Sequence, residues 1–284
     1  MSLVSLTRRI REGSIVDNLR FACGRFASVR AGYGAIRALA EKKTASPDSE
    51  PESLIEPFDF NAAISGLRHQ SVYHPIRLSH HAVAALMQLA IEEPIRSPLP
   101  TEPFIRYAEV FEYNRRNREL PFLYGRVPSA ENNPTVLKIV NDPQILETAR
   151  RYLGYLPLRR RLRLQWSFVC EAPADQRMAR GQTVRYHYDS DDFNFLYTMF
   201  YLTETDADSG AHVMIPGTHR TKPLSWLFGR TWRTDEEVFA RYPRSSELLL
   251  AGPPGFGFIQ DSSCLHKAWP PIKRPRLVLQ IRYS

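Results

Sequence analysis

After Pro157 the hydrophobic periodicity of the chain changes from that of helices to that of strands, and this limits the fold more than any single motif. In RLRLQWSFV (161–169), Arg161, Arg163, Gln165 and Ser167 take one face and Leu162, Leu164, Trp166 and Phe168 the other. That alternation is the mark of a strand with one face on a core. Further strands are expected at 183–189, 194–203, 211–215, 247–250, 256–260 and 276–283, between turns that carry Gly and Pro. Short strands joined in this way predict an antiparallel sandwich or barrel, so the chain reads as mainly β with helical additions.

The helical additions come first. Leu78 to Ile91 has a helical pattern, capped by Ser79 and stopped before Pro94. His80 and His81 lie in its first turn, where adjacent residues share no face and make poor joint ligands. Residues 143–157 form a second helix, with Pro143 in its first turn and Gly154 after its end.

Of the net charge of +8, residues 1–43 carry +6: seven Arg and two Lys against Glu12, Asp17 and Glu41. Within them Ile15, Leu19, Ala22, Phe26, Val29, Tyr33 and Ile36 recur at helical spacing, with a cap at Ser14 and Asp17. Gly24, Gly32 and Gly34 weaken that helix by about 1 kcal/mol each against Ala. Arg20, Arg25, Arg30 and Arg37 flank the stripe, so 1–43 is read as an amphipathic segment that meets an anionic membrane surface or docks on the domain. Residues 44–59, opening with TASPDSEPE, read as a linker, and 60–284 as one domain with its barrel core at about 160–284. Three cysteines in no ligand spacing fit a reducing compartment, and no apolar run is long enough to span a bilayer, so a cytoplasmic location is expected, peripheral on the membrane if the basic segment binds it.

The chemistry gathers in RYHYDSDD (185–192). His187 and Asp189 are two apart, so in a strand they share a face at roughly 6 to 7 Å along the backbone and can hold one metal ion. The pair needs a third ligand, for which His212, His219 and His266 are the downstream candidates. His266 stands just before the last strand, which Arg276 opens with Leu277, Leu279 and Ile281 on the opposite face. Two histidines and a carboxylate leave positions open on Fe(II) for O2 chemistry, and an arginine fork nearby suits the far carboxylate of a bidentate cosubstrate.

These elements, with the acidic Gly-containing turn and P-G-S-H-like segment in DADSGAHVMIPGTH (206–219) and the closing strand RPRLVLQIRYS, resemble the phytanoyl-CoA dioxygenase branch of the Fe(II)/2-oxoglutarate-dependent oxygenases. The resemblance covers about 160–284, and more loosely from 60. It implies a double-stranded β-helix, or jelly-roll, with His187, Asp189 and His266 on Fe(II) and Arg276 on 2-oxoglutarate. It also implies O2-dependent decarboxylation of 2-oxoglutarate to succinate, coupled to hydroxylation of an unactivated C–H bond. Asp189, where halogenating relatives have a small residue, favours hydroxylation. Trp269-Pro270-Pro271 shortens the loop before Arg276, which leaves Arg274 and Arg282 as rival anchors. His219 is read as a structural hydrogen-bonder or a substrate contact, His212 as a satisfied barrel histidine and Cys264 as a packed thiol.

The arginine cluster of 150–163, with Arg163 and Gln165 facing the barrel, is either a solvated surface or an anion-binding wall. With the basic segment it points to an anionic substrate, such as a lipid-linked acidic sugar. Nucleic-acid demethylation and a non-catalytic jelly-roll binding module are the alternatives. No obligatory nucleic-acid partner is expected, because no strip of basic and aromatic residues for base stacking is evident.

Overall fold

The computed structural model describes residues 19, 21–40, 53–99 and 102–284. The expected helix cap at Ser14 and Asp17, Ile15 and most of the linker lie outside the described residues.

Two antiparallel sheets form the body. The six-stranded sheet runs β1 (Val72–Arg77), β9 (Phe256–Gln260), β5 (Leu196–Tyr201), β11 (Arg276–Tyr283), β3 (Arg160–Ser167) and β2 (Tyr124–Arg126). The five-stranded sheet runs β7 (Trp232–Arg233), β4 (Tyr186–His187), β10 (Leu265–Ala268), β6 (His212–Ile215) and β8 (Leu248–Leu250). Side chains from both sheets meet between them in one apolar cluster, including Tyr197, Met199, Phe258 and Val278 from the larger sheet and Met214 and Leu250 from the smaller. This is an antiparallel sandwich of the kind the strand pattern predicts, in the jelly-roll form that the family resemblance implies.

The alternation of β3 sorts as its sequence requires. Leu164, Trp166 and Phe168 are buried in the outer core, and Arg163 and Gln165 turn inward to the pocket. That outer core lies under helices α2 (Phe60–Gln70), α3 (His80–Glu92), α4 (Tyr107–Arg116), α5 (Pro134–Val140) and α6 (Pro143–Leu153), which supply Leu67, Leu86, Val110, Ile139 and Ala149. Trp166 Nε1 donates to the Ala90 carbonyl at 3.0 Å, so its one polar atom is satisfied in the core. Helix α3 is capped by Ser79, whose hydroxyl accepts from Ala82 N–H at 3.4 Å. At the end of α6, Gly154 takes φ of +86°.

Four strands were not foreseen. β1 carries Pro75, which argues against a strand, but it is the sheet's edge and its register shifts between Tyr73 and Ile76, where a missing N–H is tolerated. β2, β7 and β10 are too short to show an alternation.

The basic segment departs from expectation. Its described helix, α1, spans Ala27–Ala40, and the stripe does not run through as one helix, because Gly24 to Phe26 form a turn. The face set against the barrel holds Arg30, Tyr33, Gly34 and Arg37, while Val29, Ile36 and Leu39 are exposed. Arg30 is buried in a bidentate ion pair with Asp261 at 2.8 Å and bonds Asn194 Oδ1 at 3.2 Å. Arg25 donates to the carbonyls of Leu227 and Gly229, and Arg37 lies 4.8 Å from the Tyr155 ring. Three of the four arginines that flank the stripe thus face protein, as on a segment docked on the domain. Gly34 permits the close approach, since a Cβ there would stand 2.7 Å from the Leu153 carbonyl oxygen. The end of the expected linker is also packed: Ile55 is buried and bridges Leu78, and Asp59 caps α2 through two N–H bonds. Among the described residues, no helix is long and apolar enough to cross a membrane.

Candidate metal centre

β4 and β10 are neighbours, and their register sets His187 opposite His266. Two residues past His187, the Asp189 N–H donates to the Ser262 carbonyl at 2.9 Å, which fixes the carboxylate beside both rings. His187, Asp189 and His266 each offer a ligand atom, and these atoms all lie within 4.8 Å of one another. Among the described residues, they are the one such group of three.

Both imidazoles are aimed by backbone. The Nδ1 of His187 lies 3.0 Å from the Arg185 carbonyl, and that of His266 lies 3.0 Å from the Cys264 carbonyl. A carbonyl can only accept, so each Nδ1 carries the proton and each Nε2 presents its lone pair. Those Nε2 atoms stand 3.8 Å from the two different oxygens of Asp189. Burial lowers the pKa of His187 and takes that of His266 well below its ordinary value, so both rings are neutral and ready to bind a cation. Burial, and then the neighbouring Asp191 carboxylate, pushes Asp189 up to about 7. A donor set of two neutral imidazoles and a carboxylate in need of positive charge fits a divalent metal.

The pocket beside these residues has a volume of about 130 Å³ and lies between the sheets. Its far wall comes from the larger sheet, whose β11 turns Arg276, Val278 and Gln280 inward. Arg276 is 8% exposed, donates to the Gly210 carbonyl, leaves Nε without a hydrogen-bond partner, and has no carboxylate partner among the described residues. Gly210 ends the acidic turn with φ of +87°, and a Cβ there would stand 2.7 Å from the Trp269 carbonyl oxygen. The Gly-containing turn therefore positions the arginine. An unpaired buried guanidinium is costly, which makes this end of the pocket a place for an anion. The rivals are committed elsewhere: Arg274 pairs with Glu204 and Asp206 at the surface, and Arg282 pairs with Asp191 at 2.7 Å.

Arg163 and Gln165 line the same pocket, where Gln165 accepts from the Tyr124 hydroxyl. The rest of the arginine cluster is surface. Arg150 and Arg151 pair with Glu147, Arg159 stands 3.8 Å from Asp192, and Arg160 bonds Asn141. His219 is not brought to this pocket. Its Nε2 lies 3.1 Å from the Arg68 carbonyl, and it lines a separate cavity under α1. Cys264 is a packed thiol, which burial pushes up to about 12.

His212 is the residue misread from sequence. It is buried in the pocket, its ring stacked 5.2 Å from that of His266 and its Nε2 without a hydrogen bond within normal distance among the described residues. Burial, then Arg276, lowers its pKa to about 3, so the ring is neutral. The parity of β6 contained the signal, since His212 alternates with the inward-facing Met214.

Neither a family model nor a curated protein matches the sequence. Solved structures do match. EvdO2 from Micromonospora carbonacea var. aurantiaca is 17% identical with a TM-score of 0.53, over 82% of this chain and 93% of that one. The epimerase SnoN, solved with Fe3+, alpha ketoglutarate and nogalamycin RO, is 16% identical with a TM-score of 0.53, over 79% and 83%. The non-heme alpha ketoglutarate dependent carbocyclase SnoK from nogalamycin biosynthesis is 17% identical with a TM-score of 0.50, over 78% and 82%. The chain shares their jelly-roll fold. At these identities the likeness is one of fold, and it does not single out the phytanoyl-CoA dioxygenase branch.

Proposed function

We propose that the protein is a non-haem Fe(II)- and 2-oxoglutarate-dependent oxygenase, of the phytanoyl-CoA dioxygenase-like type, that hydroxylates an unactivated C–H bond of an anionic small molecule. The observation that carries this reading is one pocket holding both a buried two-histidine, one-carboxylate cluster and a buried arginine without a counter-ion. His187, Asp189 and His266 would hold the iron, and Arg276 the far carboxylate of 2-oxoglutarate. Bound together, Fe(II), 2-oxoglutarate and O2 supply the oxidising power for C–H cleavage, with the 2-oxoglutarate decarboxylated to succinate. The neutral imidazoles keep their lone pairs on the metal side because backbone carbonyls hold the Nδ1 protons.

Arg163, exposed at the pocket and without a hydrogen-bonded partner among the described residues, would meet the negative group of the substrate. A carboxylated or phosphorylated sugar, free or lipid-linked, is the substrate class we infer. Two of the structural neighbours are an epimerase and a carbocyclase, so where the substrate's C–H bonds sit, as much as the metal ligands, would decide the product. Anaerobic titration with Fe(II) and 2-oxoglutarate, followed by O2-dependent succinate release across a panel of anionic sugars and glycolipids, tests the reading. A protein that binds no Fe(II), or takes 2-oxoglutarate equally well without metal and without Arg276, would overturn it.

A further inference from the structure

A second cavity, of about 190 Å³, opens between α1 and the barrel, away from the metal cluster. It is lined chiefly by Arg30, Arg68, Tyr152, His219, Arg220 and Asp261, and none of these lines the pocket of His187 and His266. We propose that it is a binding site for phosphate, free or as a small monoester. The inference is independent of the reaction proposed above.

Charge is the first argument. Arg30 and Asp261 neutralise one another, and both oxygens of Asp261 are fully engaged. Oδ1 accepts from Arg30 and from the Ser263 N–H, and Oδ2 accepts from Arg30 and from the Tyr152 hydroxyl. The carboxylate therefore has little field left to repel a visiting anion. Arg68 and Arg220 remain, and among the described residues neither has a carboxylate partner. One N–H of Arg220 donates to the Arg68 carbonyl at 3.3 Å, which sets that guanidinium beside the cavity, its other donors without a hydrogen-bond partner among the described residues.

His219 supplies the second argument. Its Nε2–H is taken by the Arg68 carbonyl at 3.1 Å, while its Nδ1 is buried with no hydrogen-bond partner among the described residues. An imidazole held in this way gains a donor at Nδ1 when it takes a proton, and an anion alongside favours that proton. Two arginines and one histidine lining one small space match the several oxygens of phosphate better than the two of a carboxylate. Ala27 and Ala31 are the α1 residues that line the cavity with Arg30, and their short side chains leave it open.

Calorimetric titration of the whole protein with inorganic phosphate and with glycerol 3-phosphate, at fixed ionic strength, tests the site. We expect saturable binding that weakens about tenfold or more in R68Q/R220Q, because charged hydrogen bonds are lost. A31L, which fills the cavity and removes no charge, is expected to weaken it as well, and R276Q to leave it unchanged. Tighter binding of glycerol 3-phosphate would identify a monoester as the ligand, and equal binding would identify free phosphate. Absence of binding by either compound, undiminished affinity in R68Q/R220Q, or loss in R276Q alone would overturn the proposal, the last by sending the anion to the metal pocket.

Discussion

At the scale of single residues, the site depends on backbone carbonyls that settle where protons sit. With Nδ1–H of His187 and His266 occupied, only Nε2 can ligate, and each ring has one productive orientation. Replacing His187, Asp189 or His266 by Ala should abolish Fe(II) binding in anaerobic titration, and with it 2-oxoglutarate turnover, since each removes one of three protein ligands. Full iron content in H266A would remove that residue from the set. For Arg276→Ala, loss of a charged hydrogen bond of about 1.5 to 3 kcal/mol should raise the KM for 2-oxoglutarate about ten- to a hundredfold with iron retained. Arg274→Ala, at the surface, should leave the KM unchanged, and the reverse result would move the anchor. The pairing of His187 with Asp189 was legible in their i, i+2 spacing, although the strand itself ends at His187, and the choice of His266 came from its place before the last strand and from the family resemblance. The role of His212 was not legible, because parity alone says inward and does not say whether inward means core or pocket.

At the scale of elements, α1 is fixed by a charge pair in place of an apolar stripe. The stripe was legible in the sequence, but the docking face was not, since nothing local marks Arg30 for a partner 231 positions away. Removing one member of a buried pair leaves the other charge unpaired, so Arg30→Met should cost about 3 to 5 kcal/mol in urea unfolding. The double variant R30M/D261L should recover much of that loss, and a failure to recover would show that the pair's neighbours, and not its charges, set the cost. The pair also gives a pH dependence. Burial works against the Asp261 carboxylate, but Arg30 overrides it and holds the folded pKa below its ordinary value of 3.8. A depressed carboxylate contributes stability above its unfolded pKa and loses it as the pH falls through the folded value. The native protein should therefore weaken between about pH 4 and lower values, and D261N should show a shallower slope there.

At the scale of the whole molecule, the metal and cosubstrate of the proposed function would bind between the two sheets, so they should act on the stability of the entire fold. At concentrations a hundredfold above Kd, a ligand that binds only the folded state adds about 2.7 kcal/mol. Anaerobic melting with Fe(II) and 2-oxoglutarate should show a rise in Tm that Asp189→Ala removes. Persistence of the rise in that variant would place binding elsewhere. The two-layer architecture was legible from the strands of β3, β5, β6, β9 and β11, whose runs are long or apolar enough to show. Sheet order was not, because pairing between distant strands leaves no periodic trace. That order has a consequence for how the chain is made. β11 is not an edge but lies between β5 and β3, and its side chains contribute to the outer core and to the pocket. Strands synthesised more than a hundred residues earlier thus wait for positions 276–283 before the larger sheet can be completed. Arg30 waits longer still, 231 positions, for Asp261. With such distant pairings, closure of the barrel belongs to the moments after translation has passed residue 283, and a polypeptide stopped ten residues short would carry a sheet split down its middle.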